Sequence, residues 1–297
     1  MITLAYINFW EDPNNDDYFT VFIEKNIDKV RLVNYNDNPD ILISSVNGDI
    51  YKIKNINAKC KVFFYGENLH NYPPYNNDAL LYDTFDLIVG FKETDLKKKQ
   101  VRFPLWLIYY KYYNYNENDN ILTFIQNKYN ENVNKTKTMF GSIVARHDRG
   151  GQRLLICNKL SKYGKIQAPS HFLQNTNSIG SKLEDKINFI SKGVYNVCPE
   201  NSCYEQYFTE KIFHAFEAGT IPLYWGVNYP EEEIINRNKY CFCHIYNDDK
   251  LEKQIEDLVK NPEKYLAGNI FKDDAGIYIN NFYTSLIEQI IVCLNKQ

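Results

Sequence analysis

No run of apolar residues in this chain approaches the ~18 needed to cross a bilayer as a helix, and the opening Met-Ile-Thr-Leu-Ala-Tyr-Ile-Asn-Phe-Trp carries no basic flank. The start therefore reads as a β-strand and not as a secretory signal, and the expected location is cytoplasmic. An excess of basic charge is missing as well: 34 Lys and Arg stand against 37 Asp and Glu, for a formal charge of −3. Affinity for nucleic-acid backbones comes from clustered Lys and Arg, so a general polyanion binder is excluded. The one tight run, Lys97-Lys98-Lys99, reads as a solvated face. Neither Gly-x-Gly-x-x-Gly nor a Walker loop occurs, which argues against a dehydrogenase or a P-loop enzyme. The chain also has no internal repeat.

Cysteine is present without a pattern. The seven are scattered, odd in number and mostly inside apolar runs, so no disulfide framework is expected. Cys241-Phe-Cys243-His244 has the outline of a metal corner, but the same alternation is what a buried strand gives. A zinc site needs four ligands and no second Cys or His cluster stands at a suitable spacing, so no metal is expected.

What is present is enough apolar residue for two cores, 44% of 297 residues. From Ser142 onward the pattern alternates. Strands are expected at 141–145, 165–167, 194–198, 221–225 and 240–245, and helices at 152–163, 182–192, 209–218 and 250–266. The first half is looser, with strands at 2–9, 29–33, 41–45, 61–65 and 87–90 and a helix over 18–25. Strand and helix at this spacing imply parallel sheets covered on both faces, hence an α/β chain of two Rossmann-like domains, 1–138 and 139–297, facing a central cleft. The last helix is expected to pack back on the first domain. Residues 109–138, rich in Asn, Tyr and Lys, read as a short helix and an exposed linker.

Ligands of such sheets bind beyond the carboxyl ends of the strands. Cys198 to Lys211 lies there, between an expected strand and its helix, and brings Thr209, Glu210 and Lys211 to the helix start. An ammonium supplies donors to phosphate oxygens, the acid can accept from ribose hydroxyls, and the first helical amides are free to face an anion. Asn201 and Tyr207 add polar groups and an aromatic face. Arg146, directly after a strand and before Gly150-Gly151, is a second anion candidate, with Arg153 on the next helix serving equally well as a tether. Glu67 follows a buried strand and a glycine; a loop acid or helix cap is its simpler reading. Trp10, His70 and Tyr72 can stack on a sugar face or pack locally. Chemistry alone stops at a phosphate or nucleotide site.

Glu200-Asn201-Ser202, Tyr207-Phe208-Thr209-Glu210-Lys211-Ile212, Ala218-Gly219-Thr220-Ile221-Pro222 and Trp225-Gly226 together make a composite that resembles the α-1,3/α-1,4-fucosyltransferases, and most of all their bacterial-type members. Ile7-Asn8-Phe9-Trp10, Phe64-Tyr65-Gly66-Glu67-Asn68, the Phe85 to Phe91 run and Arg102-Phe103-Pro104-Leu105 add to it, so the likeness spans nearly the whole chain outside 109–138 and the last helix. The resemblance implies a two-domain GT-B-type glycosyltransferase, with donor GDP-fucose in the C-terminal domain, a β-galactoside or N-acetyllactosamine-type acceptor largely in the N-terminal one, and no required metal or other cofactor. By position it makes Glu67 the general base, Lys211 the pyrophosphate ligand, Glu210 a ribose or nucleotide contact, and Asn201 and Tyr207 walls of the nucleotide pocket. One departure stands out: the phosphate-binding arginine usual in the segment written here Ala168 to Asn175 is absent. Either Arg146 takes over its charge or the donor is held more weakly. A relative that binds nucleotide or carbohydrate without turnover, or a transferase for another nucleotide sugar, remains as an alternative. The basic tail and heptads of some bacterial relatives are absent, so the resemblance implies neither membrane association nor tail-driven dimers.

Overall fold

The structure is a computed structural model that describes residues 1–10, 16–113 and 120–295. It divides into two compact units, Met1–Asp119 with Ile277–Gln297, and Asn120–Gly276.

The first unit is built on strands β1 (Ile2–Ile7), β2 (Val30–Leu32), β3 (Ile41–Ser44), β4 (Cys60–Tyr65), β5 (Leu87–Gly90) and β6 (Gln100–Arg102), with helices α1 (Tyr18–Asn26), α2 (Ile50–Lys54) and α3 (Asp78–Thr84). All pairings are parallel, in the order β2-β1-β3-β4-β5-β6. Strands β3 and β5 are buried along their whole length, as a sheet covered on both faces requires. Rings fill this core. Phe63 stacks on Tyr75 and Phe85 at 5.2 and 5.0 Å, and Phe64 meets Phe19 edge-on at 4.9 Å. Gly90 is a glycine because a Cβ there would lie 2.4 Å from the Tyr65 ring.

The second unit has β7 (Met139–Ser142), β8 (Ile166–Gln167), β9 (Gly193–Val197), β10 (Ile221–Tyr224) and β11 (Cys241–Phe242). Its helices are α4 (Ile121–Val133), α5 (Gln152–Leu160), α6 (Leu183–Ile190), α7 (Lys211–Glu217), α8 (Asp248–Lys260) and α9 (Glu263–Leu266), and α10 (Ala275–Leu294) leaves it for the first unit. The sheet is again parallel, in the order β11-β10-β9-β7-β8. Since β8 lies on one side of β7 and β9 on the other, strand order reverses between β7 and β9, and a crevice opens beyond their carboxyl ends.

Four expectations change. The division falls between Asp119 and Asn120, ahead of the expected 138–139 boundary. The reason is α4, which is a regular helix and not a linker: Asn120 caps it by accepting from the amides of Leu122 and Thr123, and Ile121, Ile125, Tyr129 and Asn132 are buried. Asn132 Nδ2 donates to the carbonyl of Glu217 at 2.7 Å, tying α4 to the end of α7. There Gly219, at φ +63°, ends α7 in a Schellman turn, its amide donating to Phe216 and that of Thr220 to Ala215.

Second, the expected helix over 250–266 is two helices. Pro262 cannot donate a helical hydrogen bond, so α8 stops at Lys260 and α9 begins at Glu263. Third, β7 sits two residues earlier than expected, which frees Ile143 to Ala145 to line the crevice.

The fourth concerns cysteine. Cys60 at the start of β4 and Cys293 near the end of α10 form a disulfide across 233 residues of sequence, where no bridge was expected; five cysteines stay free. Sequence spacing cannot show such a pair, because only the packing of α10 brings it together. Ile279, Tyr283, Leu286, Ile290 and Cys293 form that helix's buried stripe. Tyr283 packs against Phe22 and Phe103 at 5.7 and 5.3 Å and accepts a hydrogen bond from the Tyr18 hydroxyl.

Candidate functional site

The crevice of the second unit is organised around a carboxylate. After β9 the chain keeps pairing with the next strand: the amide of Cys198 donates to Leu223 and that of Glu200 to Trp225. Glu200 is thereby held fully buried. Its Oε1 accepts from the amide of Thr209 (2.9 Å) and the hydroxyl of Tyr224 (3.0 Å), and its Oε2 from the Thr209 hydroxyl (2.6 Å) and Lys211 Nζ (3.1 Å). Lys211 Nζ also donates to Thr209 Oγ1 at 2.7 Å. A buried carboxylate with four donors is fully satisfied, and it locks the ammonium that shares them.

Glu210 follows on the N-terminal side of α7. Its carboxylate lies 3.8 Å from Lys211 Nζ and 3.8 Å from Lys186 Nζ, the latter on α6. Burial opposes its charge, but the two ammonium groups prevail and hold its pKa at about 2. Lys211 is likewise kept protonated: burial disfavours its charge, and Glu200 and Glu210 more than offset this and raise its pKa. Lys186 Nζ donates to Nδ1 of His214 at 3.0 Å. Burial, and then the charge of Lys186, push the imidazole well below its usual pKa, so His214 is neutral with Nδ1 as acceptor.

The side chains of Arg153, Lys186 and Lys211 line the mouth of the crevice together with Val144, Ala145, Asn196 and Cys198. Arg153 on α5 is buried; Nη2 donates to Asn201 Oδ1 at 2.5 Å, and Nη1 donates to the carbonyl of His147. Three cations meet at a strand-order reversal around a hollow of about 20 Å³, and their charge favours an anion there.

Of the residues singled out from the sequence, Glu210 and Lys211 stand at this crevice. Thr209 does not face it: the residue is 1% exposed, and its amide and hydroxyl are both engaged by Glu200. The helix α7 starts at Lys211 and runs for seven residues. Asn201 is exposed and holds Arg153. Tyr207 is buried, behind a Gln206 held at φ +58°. Arg146 is exposed and does not line the crevice; the guanidinium there belongs to Arg153, the residue equally well read as a tether. The Ala168 to Asn175 segment closes on itself, with Asn175 Oδ1 accepting from the Ala168 amide and Asn175 Nδ2 donating to Ile166. Glu200, Lys186 and His214 had no assigned role, since no local spacing joins a strand end to two helices. Cys241 and Cys243 are buried with β11, and among the described residues no group of three or more His, Cys, Asp or Glu is placed to hold a metal ion.

In the first unit Glu67 lies two residues beyond β4, half-buried, at the carboxyl end of the sheet. Gly66 before it admits the Leu105 side chain, which a Cβ would meet at 2.5 Å. Asn68 after it accepts from the His70 amide and caps a 3₁₀ turn, Leu69–Asn71, that fixes the loop. Glu67 is thus not itself the cap. His70 is exposed and Tyr72 half-buried. Trp10 packs edge-on against Phe9 and Phe64 at 5.0 and 5.7 Å, beside the strand that leads to Glu67.

Residues 132–293 match the family described as glycosyltransferase family 10 (fucosyltransferase), C-terminal part. The chain belongs to this family. Residues 4–109 match the N-terminal domain of alpha-(1,3)-fucosyltransferase FucT. Among curated relatives, this family 10 chain is 24% identical over 252 residues to the alpha-(1,3)-fucosyltransferase FucT of Helicobacter pylori, covering 76% of the chain and 50% of that protein. Over 139 residues it is 29% identical to human 4-galactosyl-N-acetylglucosaminide 3-alpha-L-fucosyltransferase 9, covering 45% of the chain and 36% of that protein. The chain thus spans about half the length of the bacterial relative and about a third of the human one. A crystal structure of an alpha1,3-fucosyltransferase matches all of the chain and 90% of its own with a TM-score of 0.73 at 20% identity. One with GDP-fucose matches 97% of the chain and 90% of its own at 0.66 and 20% identity. At that identity the likeness concerns the fold, which is the GT-B fold of two parallel sheets.

Proposed function

We propose that this chain transfers L-fucose from GDP-fucose to a hydroxyl of a β-galactoside or N-acetyllactosamine-type oligosaccharide, forming an α-1,3 linkage with inversion. The observation that carries the reading is the interlocked Glu200, Thr209, Glu210 and Lys211 at the strand-order reversal of the second unit, which fixes an ammonium beside an ionised acid where a nucleoside diphosphate would lie. Membership of family 10 and the activities named for the bacterial and human relatives support it.

The roles divide between the units. Lys211 binds the diphosphate and offsets the charge that grows on it as the fucose–oxygen bond breaks. Glu210 accepts from the ribose or nucleotide with Asn201 and Tyr207 around it, and Arg153 fills the place expected for Arg146. Glu67 takes the proton from the acceptor hydroxyl as its oxygen attacks the anomeric carbon of β-linked fucose from the side opposite GDP. Trp10, His70 and Tyr72 bind the acceptor. Side-chain cations do the work of a divalent metal, and none is required. We place the protein in the cytoplasm: among the described residues no helix is long and apolar enough to cross a membrane, and five cysteines are free. The Cys60–Cys293 bridge is the feature that points to a more oxidising setting.

The test is a transfer assay with GDP-fucose and N-acetyllactosamine, the product linkage read by NMR, beside thermal shifts with GDP and UDP. Stabilisation by GDP with fucosylated product is expected. Stabilisation by UDP alone would redirect the reading to another nucleotide sugar, and GDP binding with no product from a panel of acceptors would make the chain a binding protein.

A further inference from the structure

The family reading assigns one lysine to the donor. The structure assigns a second: we propose that Lys186, presented by His214, is an ammonium ligand of the anionic group bound at the β7–β9 crevice. This rests on the proposed reading of the crevice as a nucleoside-diphosphate site.

Lys186 comes from the middle of α6, and its side chain is 25% exposed at the crevice that Lys211 and Arg153 also line. A lysine placed only to neutralise Glu210 would meet the carboxylate at hydrogen-bonding distance. Here the nitrogen stays 3.8 Å from Glu210 and donates at 3.0 Å to the imidazole of His214. A neutral acceptor orients an ammonium without cancelling its charge. Glu210, 3.8 Å from each of two ammonium groups, cannot neutralise both. Of the three donors on the nitrogen, one is engaged by His214; burial lowers the pKa of this group, and the charge of Glu210 acts against that. Lys211 differs, since Glu200 and Thr209 take two of its donors. Lys186 is the less encumbered of the pair. His214 and Glu210 act through it as positioning residues.

The arrangement makes a prediction by ligand class. An ammonium that meets phosphate oxygens matters to GDP and to inorganic pyrophosphate and is indifferent to guanosine. Calorimetric titration of the full chain with these three compounds, for the wild type, Lys186→Met and Lys186→Arg, provides the test. Lys186→Met keeps the aliphatic stem and loses the charge; it is expected to weaken GDP and pyrophosphate about 10-fold or more, as the loss of a charge-assisted hydrogen bond implies. Guanosine binding is expected to be unchanged, and Lys186→Arg to stay within about 3-fold of wild type. GDP affinity unaltered in Lys186→Met, with wild-type binding intact, overturns the proposal alone. Wild-type binding of pyrophosphate but not GDP, weakened in Lys186→Met, overturns the nucleotide reading and leaves Lys186 in place. Wild-type binding of neither overturns both. A second measurement needs no variant: amine acylation of the wild-type chain read by mass spectrometry should show Lys186 protected by GDP or pyrophosphate, and acylation at an unchanged rate counts against it.

Discussion

In the second unit the candidate residues are held by one another's charge, with Glu200 engaging Thr209, Tyr224 and Lys211, and Glu210 standing between Lys211 and Lys186. In the first unit Glu67 leaves a strand whose neighbourhood is rings, glycines and a disulfide-tied helix. The difference fits the two roles proposed above, binding an anion in the second unit and accepting a proton in the first. A buried cation that is to bind an anion has to be aligned and kept protonated without it, and for Lys211 the carboxylates of Glu200 and Glu210 do this. A general base has to accept a proton during turnover, and a carboxylate locked by several ammonium groups would be too weak a base for that.

Three substitutions and one titration would break or sharpen this contrast. The largest effect is expected for Glu67→Gln, which should lower transfer by about 100-fold or more while GDP affinity, measured by calorimetry, stays within about 2-fold. Near-normal turnover would remove Glu67 from the base role. Next is Glu200→Gln. Removing one partner of a buried pair costs about 3–5 kcal/mol, so urea unfolding should show a large loss, and GDP affinity should fall with it as Lys211 loses its anchor. A stable variant with wild-type GDP affinity would show that the network does not position Lys211.

Third is the Cys60–Cys293 bridge. Cys293→Ser is expected to cost about 2–5 kcal/mol and to raise hydrogen exchange in α10 and β4, leaving α7 and β9 protected. Equal loosening of both sheets would mean that the bridge does not act on the first unit alone. The smallest effect separates two acids that both titrate near 2. Burial opposes the charge of Asp40 in the first unit, but Lys59 and the donors of Thr3 bring its pKa to about 2, as Lys211 and Lys186 do for Glu210. Both values lie below the ordinary carboxylate range. The stability each contributes is therefore complete above about pH 4 and is lost as pH falls through about 2. Carboxyl NMR titration should find both still ionised at pH 3. GDP should raise Glu210 if it weakens the pull of the two lysines, and leave Asp40 unmoved.

Much of the α/β order was legible because buried parallel strands write continuous apolar runs, as in Ile41–Ser44 and Leu87–Gly90. Short or polar elements were not. β6 has three residues, and α4 hides its buried face under Asn and Tyr, with Asn132 buried for a hydrogen bond and not for hydrophobicity. At the site, Glu210 and Lys211 were legible because they are adjacent on one turn. Thr209 was misread for the same reason, since adjacency does not reveal which side chain turns inward.

By itself the sequence determined the two α/β patterns, the family composite around Glu200 to Trp225, and the acid after β4, because each is written in residues close along the chain. The tertiary structure alone decided that Lys186 and Arg153, not Arg146, join Lys211 at the crevice, and that Cys60 meets Cys293. The physical reason is shared. Strand order brings β7 beside β9, and the apolar stripe of α10 seats it on the first unit; both are outcomes of packing whole faces, which no local spacing encodes.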